Sequence, residues 1–336
     1  HHDVWDYDVP SQPVLIDLPG EGGEKIPAVL VPTKRAEVFV LNRITGEPIF
    51  DIQELPVPQD GGVPEDYVAA TQPFAVDLPN FRPDQSEATM WGVTPLDQLW
   101  CRIEFKKMRY EGHFTVPGAD TIFQFPGNAG GHNWGSVSVD QVNNIMVVNP
   151  MLLGNQLTLI PRDELPEGVQ GNQLGTPYSH TTVRFMSPLG VPCNQPPYGV
   201  LAAIDLETKQ LLWQRPIGSA KESGPLDIKT RLPISVGTPQ SAGTVTTAGG
   251  LIFSAGTFDN MKSSYFAAAV SMFAFAAMLC AKVQAQSPSL DALASWVAID
   301  APTGHEHLAT DSIVREYEGW NRDSYGNLLK VVGRGE

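Results

Sequence analysis

The chain has 336 residues with 31 glycines and 29 prolines, so turn-forming residues are more frequent than in an average globular protein. It carries 37 acidic and 22 basic residues, and the net charge of -15 argues against a basic nucleic-acid-binding surface. A hydrophobic share of 42% excludes a disordered chain, and frequent turns favour short strands over a helical bundle. We therefore expect an all-β fold in most of the chain.

Residues 1–260 repeat one strand pattern, in which apolar alternation is followed by a polar turn and then a bulky residue. Val38–Asn42 leads through such a turn to Phe50, and Val200–Asp205 leads through another to Trp213. Weaker copies of the pattern begin near two further positions, Asn144 and Gly250. Two strands joined in this way form a hairpin, and its recurrence predicts the blades of a β-propeller. An ordinary β-sandwich with similar hairpins is the alternative.

An alanine-rich apolar stretch follows at residues 261–285. Met261 and Lys262 precede the apolar run Ala267–Ala281, and small or apolar residues typical of a cleavage site stand at 283–285. This is the layout of a secretory signal peptide, and the run is short for a transmembrane span; a buried core helix is the alternative. Because signal peptides begin proteins, we expect residues 1–260 and 261–336 to be pieces of two proteins.

Residues 286–336 predict a short α/β fragment. Two segments have amphipathic helical patterns, Leu290–Val297 and His305–Tyr317. The turns at 300–306 and 323–328 resemble the N-terminal opening of exported zinc aminopeptidases, with a generic α/β fragment as the alternative. His305 and His307 do not share a helix face, so we expect no zinc site in this part of the chain.

More specific motifs lie within residues 1–260. The first is the opening segment His1–Pro10, which contains Trp5-Asp6. The others are Pro32-Thr33-Lys34, Met90–Gly92, Asp97–Arg102, Arg109–Gly112, Phe125–Asn128, Trp134-Gly135, Asn149–Met151 and Ser187–Cys193. Together they resemble the membrane-bound branch of the pyrroloquinoline quinone (PQQ) dehydrogenases, which contains glucose and quinate/shikimate dehydrogenases. The resemblance implies a partial eight-bladed quinoprotein β-propeller with PQQ, a Ca²⁺ or Mg²⁺ ion, and ubiquinone as electron acceptor.

The resemblance places the catalytic base at Asp6. Oxidation of an alcohol removes a proton from oxygen, and a carboxylate held within about 3 Å of the hydroxyl can accept it. Asp3 and Asp8 are the neighbours most easily confused with Asp6, and on a strand Asp6 and Asp8 would share a face that excludes Asp3. Solvated turn residues are the alternative interpretation of these acids.

Three further residues are expected to bind the cofactor. The family position of Lys34 would put its ammonium on a quinone carbonyl oxygen, where it stabilises developing negative charge. Asn149 would hydrogen-bond the quinone, or fix an Asx turn instead. Trp134 would lie in the central site, or else pack as an ordinary core aromatic.

The metal ligands are not identified by the sequence, although Asp6 is expected near the ion. The family's other oxygen ligands come largely from blades earlier in the chain. His1 and His2 are adjacent and would point to opposite faces of a strand, so we do not expect them to be ligands. Cys101 and Cys193 lie in matched segments and could pair in an oxidising compartment.

Residues that differ from those expected in glucose dehydrogenases suggest the substrate. His132, His180 and Arg184 introduce groups that could meet a carboxylate, and the forked guanidinium of Arg184 suits one best. This favours quinate or shikimate, both cyclic polyol acids, over glucose; a solvent-facing Arg184 is the alternative.

The expected function is PQQ-dependent oxidation of a cyclic polyol in the periplasm, at the inner membrane, with electrons passed to ubiquinone. The membrane anchor and several blades are expected to be absent from this chain, so its activity alone would be low. The alternatives are a glucose or aldose dehydrogenase, or a non-catalytic propeller fragment fused to a metallopeptidase fragment.

Overall fold

The computed structural model describes residues 1–247, 249–254, 320–322 and 328–330. The chain divides into two compact units, residues 1–261 and 262–336, and each is considered by itself. The apolar stretch 261–285 and the helices predicted at 290–297 and 305–317 lie outside the described residues. Among the helices that are described, none is both long and apolar enough to cross a bilayer.

The described part of the chain is built mostly from short strands. In chain order these are β1 (Val14–Pro19), β2 (Lys25–Pro32), β3 (Val38–Asn42), β4 (Ile52–Pro56), β5 (Thr71–Ala75), β6 (Ile122–Gln124), β7 (Ser138–Asp140), β8 (Ile145–Val148), β9 (Asn155–Pro161), β10 (Tyr178–Arg184), β11 (Val200–Asp205), β12 (Leu211–Pro216), β13 (Thr244–Thr246), β14 (Ile252–Ser254), β15 (Trp320–Arg322) and β16 (Leu328–Lys330).

The strands of the first unit form small antiparallel sheets. β1, β2 and β3 pair in sequence order, and β7, β8, β11 and β12 form a four-stranded sheet in the order β12-β11-β8-β7. β6 and β10 flank β9, while β4 pairs with β5 and β13 with β14. In the second unit β15 pairs with β16. The hairpin predicted at Val200–Trp213 is confirmed as β11–β12, and the predominance of strands agrees with the expected fold class.

The predicted polar turns are closed by side chains rather than by glycine alone. Asn42 Oδ1 accepts hydrogen bonds from the N–H groups of Ile44 and Thr45, and Asp205 Oδ1 accepts from Glu207 and Thr208. These are Asx turns, which hold the chain in the conformation that reverses its direction. After Asn42 the returning chain pairs with β3 through one isolated bridge, between Leu41 and Pro48. The predicted first hairpin is therefore shorter than its sequence pattern suggests.

One α-helix, α1 (Pro95–Lys107), was not predicted by the strand-based interpretation. Thr94 caps it by accepting a hydrogen bond from the Asp97 N–H, and Pro95 begins its first turn, a combination that favours helix initiation. A disulfide joins Cys101 of this helix to Cys193, with Cα atoms 5.4 Å apart, which confirms the suggested pairing. The helix is thereby fixed against a loop 92 residues away in the sequence.

Two clusters of buried apolar residues hold the first unit together. The larger combines residues of β1–β3, α1, β6, β8 and β11. The smaller contains Trp5, Tyr7, Val57, Phe114 and Val116, and therefore packs the opening segment of the chain against residues more than 100 positions away. This smaller cluster positions the residues described next.

Candidate active site

Asp6 lies on a turn between two anchored aromatic residues. Trp5 Nε1 donates to the Thr115 carbonyl at 2.8 Å, and Tyr7 Oη donates to the Pro126 carbonyl at 2.9 Å. Both rings are buried, whereas Asp6 has a positive φ of 62° and an exposed side chain. The opening segment is thus not a strand. Asp6 projects outward because its two neighbours are held in the core.

The Asp3 carboxylate closes this turn. It accepts hydrogen bonds from the backbone N–H groups of Trp5 and Tyr7, at 2.9 and 2.8 Å. Burial raises the pKa of Asp3, the two N–H groups lower it, and the charges of Asp6 and Asp8 raise it, with a net increase. Asp3 therefore caps the turn through these hydrogen bonds, whereas the side chain of Asp6 is exposed.

Lys34 is in direct contact with the predicted base. Its Nζ lies 3.0 Å from Asp6 Oδ2 and 2.6 Å from Asp8 Oδ1, and its side chain is only 11% exposed. Burial lowers the pKa of this ammonium, but hydrogen bonds to Asp8 and Asp6 outweigh burial and leave the pKa raised. Lys34 is therefore a cation shared between two carboxylates, at the turn from β2 to β3.

A glycine-rich loop packs against the Lys34 turn. The Gly131 N–H donates to the Lys34 carbonyl at 2.5 Å, and the Gly131 carbonyl accepts from the Met151 N–H at 2.8 Å. Gly130 has a φ of +77°, and a Cβ there would lie 2.4 Å from Lys34 Cγ. Only glycine fits this position without displacing Lys34. The segments around residues 6, 34, 131 and 151 thus form one continuous set of contacts.

The other predicted cofactor residues have different settings. Asn149 is buried, and its Nδ2 donates to the carbonyls of Gln240 at 3.2 Å and Ala242 at 2.6 Å, which ties two distant segments together. Trp134 is 83% exposed, so the alternative of a core aromatic is wrong. Its assignment to the cofactor stays a prediction.

His132, the other residue expected to meet a substrate carboxylate, is buried in the fold. Its ring is buried, and burial lowers its pKa to about 4, which keeps it neutral at ordinary pH. Neither ring nitrogen has a hydrogen-bond partner among the described residues. The predicted contact between His132 and a substrate carboxylate therefore stays a prediction, for a ring that is buried and neutral.

A cavity of about 950 Å³ opens beside Asp6. Its lining includes the turn at 3–6, the loop 59–68 and the paired strands β9 and β10, with Gln124 and Asn128 between them. Gln124 Nε2 donates to the Trp5 carbonyl at 2.5 Å and so fixes the peptide that precedes Asp6. Asp8, Lys34 and Arg184 do not belong to the lining that the described residues form. Asp6 is therefore the member of the Asp6–Lys34–Asp8 group that faces the cavity.

Sequence reasoning missed a buried ionic cluster beneath the Lys34 turn. Arg35 and Arg82 both pair with Glu37, and all three side chains are almost inaccessible. The Arg35 guanidinium also lies 4.0 Å from the ring centroid of Phe114, a member of the smaller apolar cluster. Burial raises the pKa of Glu37, and the two arginines oppose this increase. The cluster gives the residues next to Lys34 a fixed support.

The described residues contain no group of three or more His, Cys, Asp or Glu side chains arranged to hold a metal ion. His1 and His2 instead pair with Glu54 at 2.9 Å and Asp66 at 2.7 Å. The carboxylates of Asp6 and Asp8 suit a hard cation chemically, but both contact Lys34. These residues alone do not make a complete calcium or magnesium site.

Comparison with known proteins assigns the chain to a family. The family described as "PQQ: Glucose/ethanol/alcohol dehydrogenase, beta-propeller domain" matches residues 1–269, which extends past the boundary that the sequence predicts after residue 260.

Three curated proteins that are similar to this chain are named for different substrates. The chain is 44% identical over 272 residues to a probable quinate dehydrogenase (quinone) of Xanthomonas campestris pv. juglandis, covering 77% of this chain and 34% of that protein. It is 42% identical to the glycerol dehydrogenase large subunit of Gluconobacter oxydans, covering 77% and 38% of the two chains. It is also 42% identical to the quinoprotein glucose dehydrogenase of Escherichia coli, covering 79% and 35%.

The chain spans about a third of the length of these relatives. The family match nevertheless covers the whole of the first compact unit, including Asp6, Lys34 and the cavity beside them. The chain belongs to the PQQ-dependent glucose/ethanol/alcohol dehydrogenase family, and its residues 1–269 match the β-propeller domain of that family.

Proposed function

We propose that this protein takes part in the PQQ-dependent oxidation of a hydroxyl group on a cyclic polyol, with quinate or shikimate favoured as substrate. The observation that carries the proposal is the Asp6 carboxylate, which faces a cavity of about 950 Å³ while a buried ammonium holds it from behind. A cavity of this size accommodates a small polyol beside Asp6. The cofactor is proposed next to it, at the Lys34 turn, which does not line the cavity.

Asp6 is the residue that would accept the hydroxyl proton. It is exposed on a turn whose neighbours, Trp5 and Tyr7, are fixed by buried hydrogen bonds, so its position is defined although its side chain is accessible. A positioned carboxylate of this kind can act as a general base for the alcohol. Lys34 limits the movement of the carboxylate and balances its charge.

The residues around Lys34 fit part of a PQQ site. PQQ, when bound, supplies the two-electron acceptor for the alcohol carbon. Lys34 would donate to a quinone carbonyl oxygen, and the absence of a Cβ at Gly130 leaves room for its side chain. Trp134 would cover a ring face, since its indole is exposed, and Asn149 would border the same region. A Ca²⁺ or Mg²⁺ ion would lie near Asp6, with further ligands from outside the described residues.

The identity of the polyol is supported by similarity. Among the three relatives above, the protein named for quinate is 44% identical, and those named for glycerol and glucose are each 42% identical. The carboxylates, amides and hydroxyl groups among the cavity's mixed polar and apolar lining suit a substrate with several hydroxyls. Glucose or another aldose is the second candidate substrate, and the similarity to the glucose dehydrogenase of Escherichia coli supports it.

We further propose that the protein works in the periplasm, associated with the inner membrane, and passes electrons to ubiquinone. The Cys101–Cys193 disulfide supports an oxidising compartment, since such bonds are rare in the cytosol. A quinone acceptor is suggested by the name of the Xanthomonas relative. The partial eight-bladed form of the propeller is likewise proposed from the family.

The division of the chain after residue 260 also stays a proposal. Residues 261–285 would be a signal-peptide-like helix, and 286–336 the start of an exported peptidase-like fragment. The apolar run Ala267–Ala281 and the small residues at 283–285 support this interpretation. Expression in an exporting host, followed by N-terminal sequencing of the products, tests it. A new N-terminus at Gln286 is expected, and an uncleaved chain would argue against a signal peptide.

The proposed activity is tested by reconstituting the chain with PQQ and Ca²⁺ or Mg²⁺ and following dye reduction. Quinate, shikimate and glucose are compared at matched concentrations. We expect reduction that depends on PQQ and is fastest with quinate or shikimate. Faster reduction with glucose would support an aldose as the substrate, and PQQ binding without oxidation of any of the three would contradict the proposed activity.

A further inference from the structure

One wall of the cavity is formed by two paired strands rather than by loops. In the antiparallel register of β9 and β10, His180 lies opposite Leu159 and Thr182 lies opposite Leu157, and all four residues line the cavity. Thr181, between the two β10 residues, is exposed and does not line it, as strand alternation requires. The direction in which this wall presents its side chains is therefore set by backbone pairing.

The lining of the cavity has an uneven distribution of charge. Its acidic members are Asp3, Asp6, Asp60, Glu65 and Asp66. The described residues that line it include no lysine or arginine, and His180 is the one among them that can carry a positive charge. A ligand without charge meets many polar groups here, whereas a ligand with a carboxylate meets mainly like charge.

Several of the acidic groups already have partners of their own. Asp66 contacts His2 at 2.7 Å, and Glu65 accepts a hydrogen bond from Tyr178 Oη at 2.8 Å. These contacts occupy nearby donors and leave them less able to bind an incoming anion. A substrate carboxylate therefore requires a donor that the acidic residues do not already use.

His180 meets this requirement. Its Nδ1 lies 2.9 Å from Thr182 Oγ1, on the same face of β10, and when the hydroxyl donates to Nδ1 the neutral ring carries its proton on Nε2. This contact fixes the plane of the ring. Nε2 makes no hydrogen bond within the described part of the chain, and the side chain is only partly buried. The ring can therefore donate from Nε2 to a carboxylate in the cavity.

We propose that His180 is the residue that recognises the carboxylate of a cyclic polyol acid, and that Thr182 is its positioning residue. The proposal rests on the proposed function and specifies how its site distinguishes an acidic from a neutral polyol. His132 is buried and neutral, and Arg184 does not line the cavity, so neither is assigned to recognise the carboxylate. His180 recognises the substrate and takes no part in proton removal.

The test compares two substrates that differ in charge, quinate and its methyl ester. The kcat and KM of the reconstituted chain are measured for both, with wild type, His180→Phe, His180→Arg and Thr182→Val. We expect His180→Phe to raise KM for quinate about ten- to a hundredfold with little change in kcat, because a hydrogen bond to a charged group is lost. The ester should be nearly unaffected, and His180→Arg should retain the preference for the acid.

Thr181→Val is the matched control, since Thr181 lies on the same strand and does not line the cavity. It should change the kinetics of neither substrate. An equal loss with acid and ester in His180→Phe would show a merely structural role and overturn the inference. Loss of acid preference in Arg184→Gln but not in His180→Phe would also overturn it.

Calorimetric binding of quinate to the same variants separates this inference from the proposed function. If wild type oxidises neither compound, the proposed function fails. Weaker quinate binding by His180→Phe would then still support the recognition site. Equal binding by wild type and His180→Phe would contradict it whatever the activity.

Discussion

Asp6 and Asp8 offer a matched pair of substitutions that tests the assignment of the base. Both carboxylates contact Lys34 Nζ, at 3.0 and 2.6 Å, and their side chains are similarly exposed, at 58% and 52%. Only Asp6 lines the cavity. Asp6→Asn and Asp8→Asn therefore remove the same charge from the same lysine, and they differ in whether a carboxylate at the cavity is lost.

The expected magnitudes follow from this geometry. Because both acids are more than half exposed, each ion pair contributes at most about 1 kcal/mol, and both variants should remain folded. A general base contributes about 10²- to 10⁴-fold, so Asp6→Asn should lower kcat at least about 100-fold. Asp8→Asn loses the shorter contact to Lys34 but keeps the base, so we expect kcat to fall less than about tenfold.

Initial rates of dye reduction at saturating quinate and PQQ measure kcat, and urea unfolding of the two variants verifies that both are folded. The larger loss should occur in Asp6→Asn and should appear in kcat rather than in PQQ binding. If both substitutions lowered kcat equally, or Asp8→Asn lowered it more, Asp6 would not be the base and the pair would act only through Lys34.

Three other predictions concern stability and the loop beside Lys34. Replacing Cys101 and Cys193 by serine should lower the free energy of unfolding by up to about 4.7 kcal/mol, measured in urea, because the bond closes a long loop; no change would argue against it. His132 has a pKa lowered to about 4 by burial, so the unfolded state binds more protons below pH 6.5. Because of this residue, the free energy of unfolding should be about 2 kcal/mol lower at pH 5 than at pH 7. Urea titrations at the two pH values should show that His132→Phe removes this part of the difference. Gly130→Ala should weaken PQQ binding by displacing the Lys34 side chain, and unchanged binding would show that the loop adapts.

Local patterns in the sequence were sufficient for some elements. The hairpin from Val200 to Trp213 combines strand alternation with an Asp turn, and both signals lie within a few residues of each other. Helix α1 could have been predicted from Thr94-Pro95 followed by Asp97, although the emphasis on strands obscured it. The family motifs selected Asp6 and Lys34, which the structure brings into contact.

Other features depend on contacts between distant residues. Asp6 faces outward because Tyr7 reaches the Pro126 carbonyl, 119 positions away, and no local pattern in the first ten residues contains that information. The strand geometry considered for this segment does not apply, since residues 1–10 do not form a strand. The same reason explains why Arg184 was preferred to His180, since only the β9–β10 register shows which residues line the cavity.

The buried ionic cluster is a further case. Arg35, Glu37 and Arg82 are charged residues that a sequence-based interpretation places at the surface, because unpaired charges are rarely buried. Their burial becomes favourable only when all three meet and the aromatic rings of Phe74 and Phe114 cover the Arg35 guanidinium. That arrangement requires the tertiary fold, and it supports the turn that carries Lys34.

The Asp6–Lys34 site is tested most directly by equilibrium binding of PQQ to the chain and to two lysine variants. Lys34→Ala removes the buried ammonium between Asp6 and Asp8, and Lys25→Ala removes an exposed lysine of β2 as a control. We expect saturable binding by wild type and by Lys25→Ala, with affinity at least about tenfold weaker for Lys34→Ala, because a charged hydrogen bond is lost. Equal affinity in all three proteins, with Lys34→Ala folded, would contradict the claim that Lys34 and Asp6 form the centre of the active site.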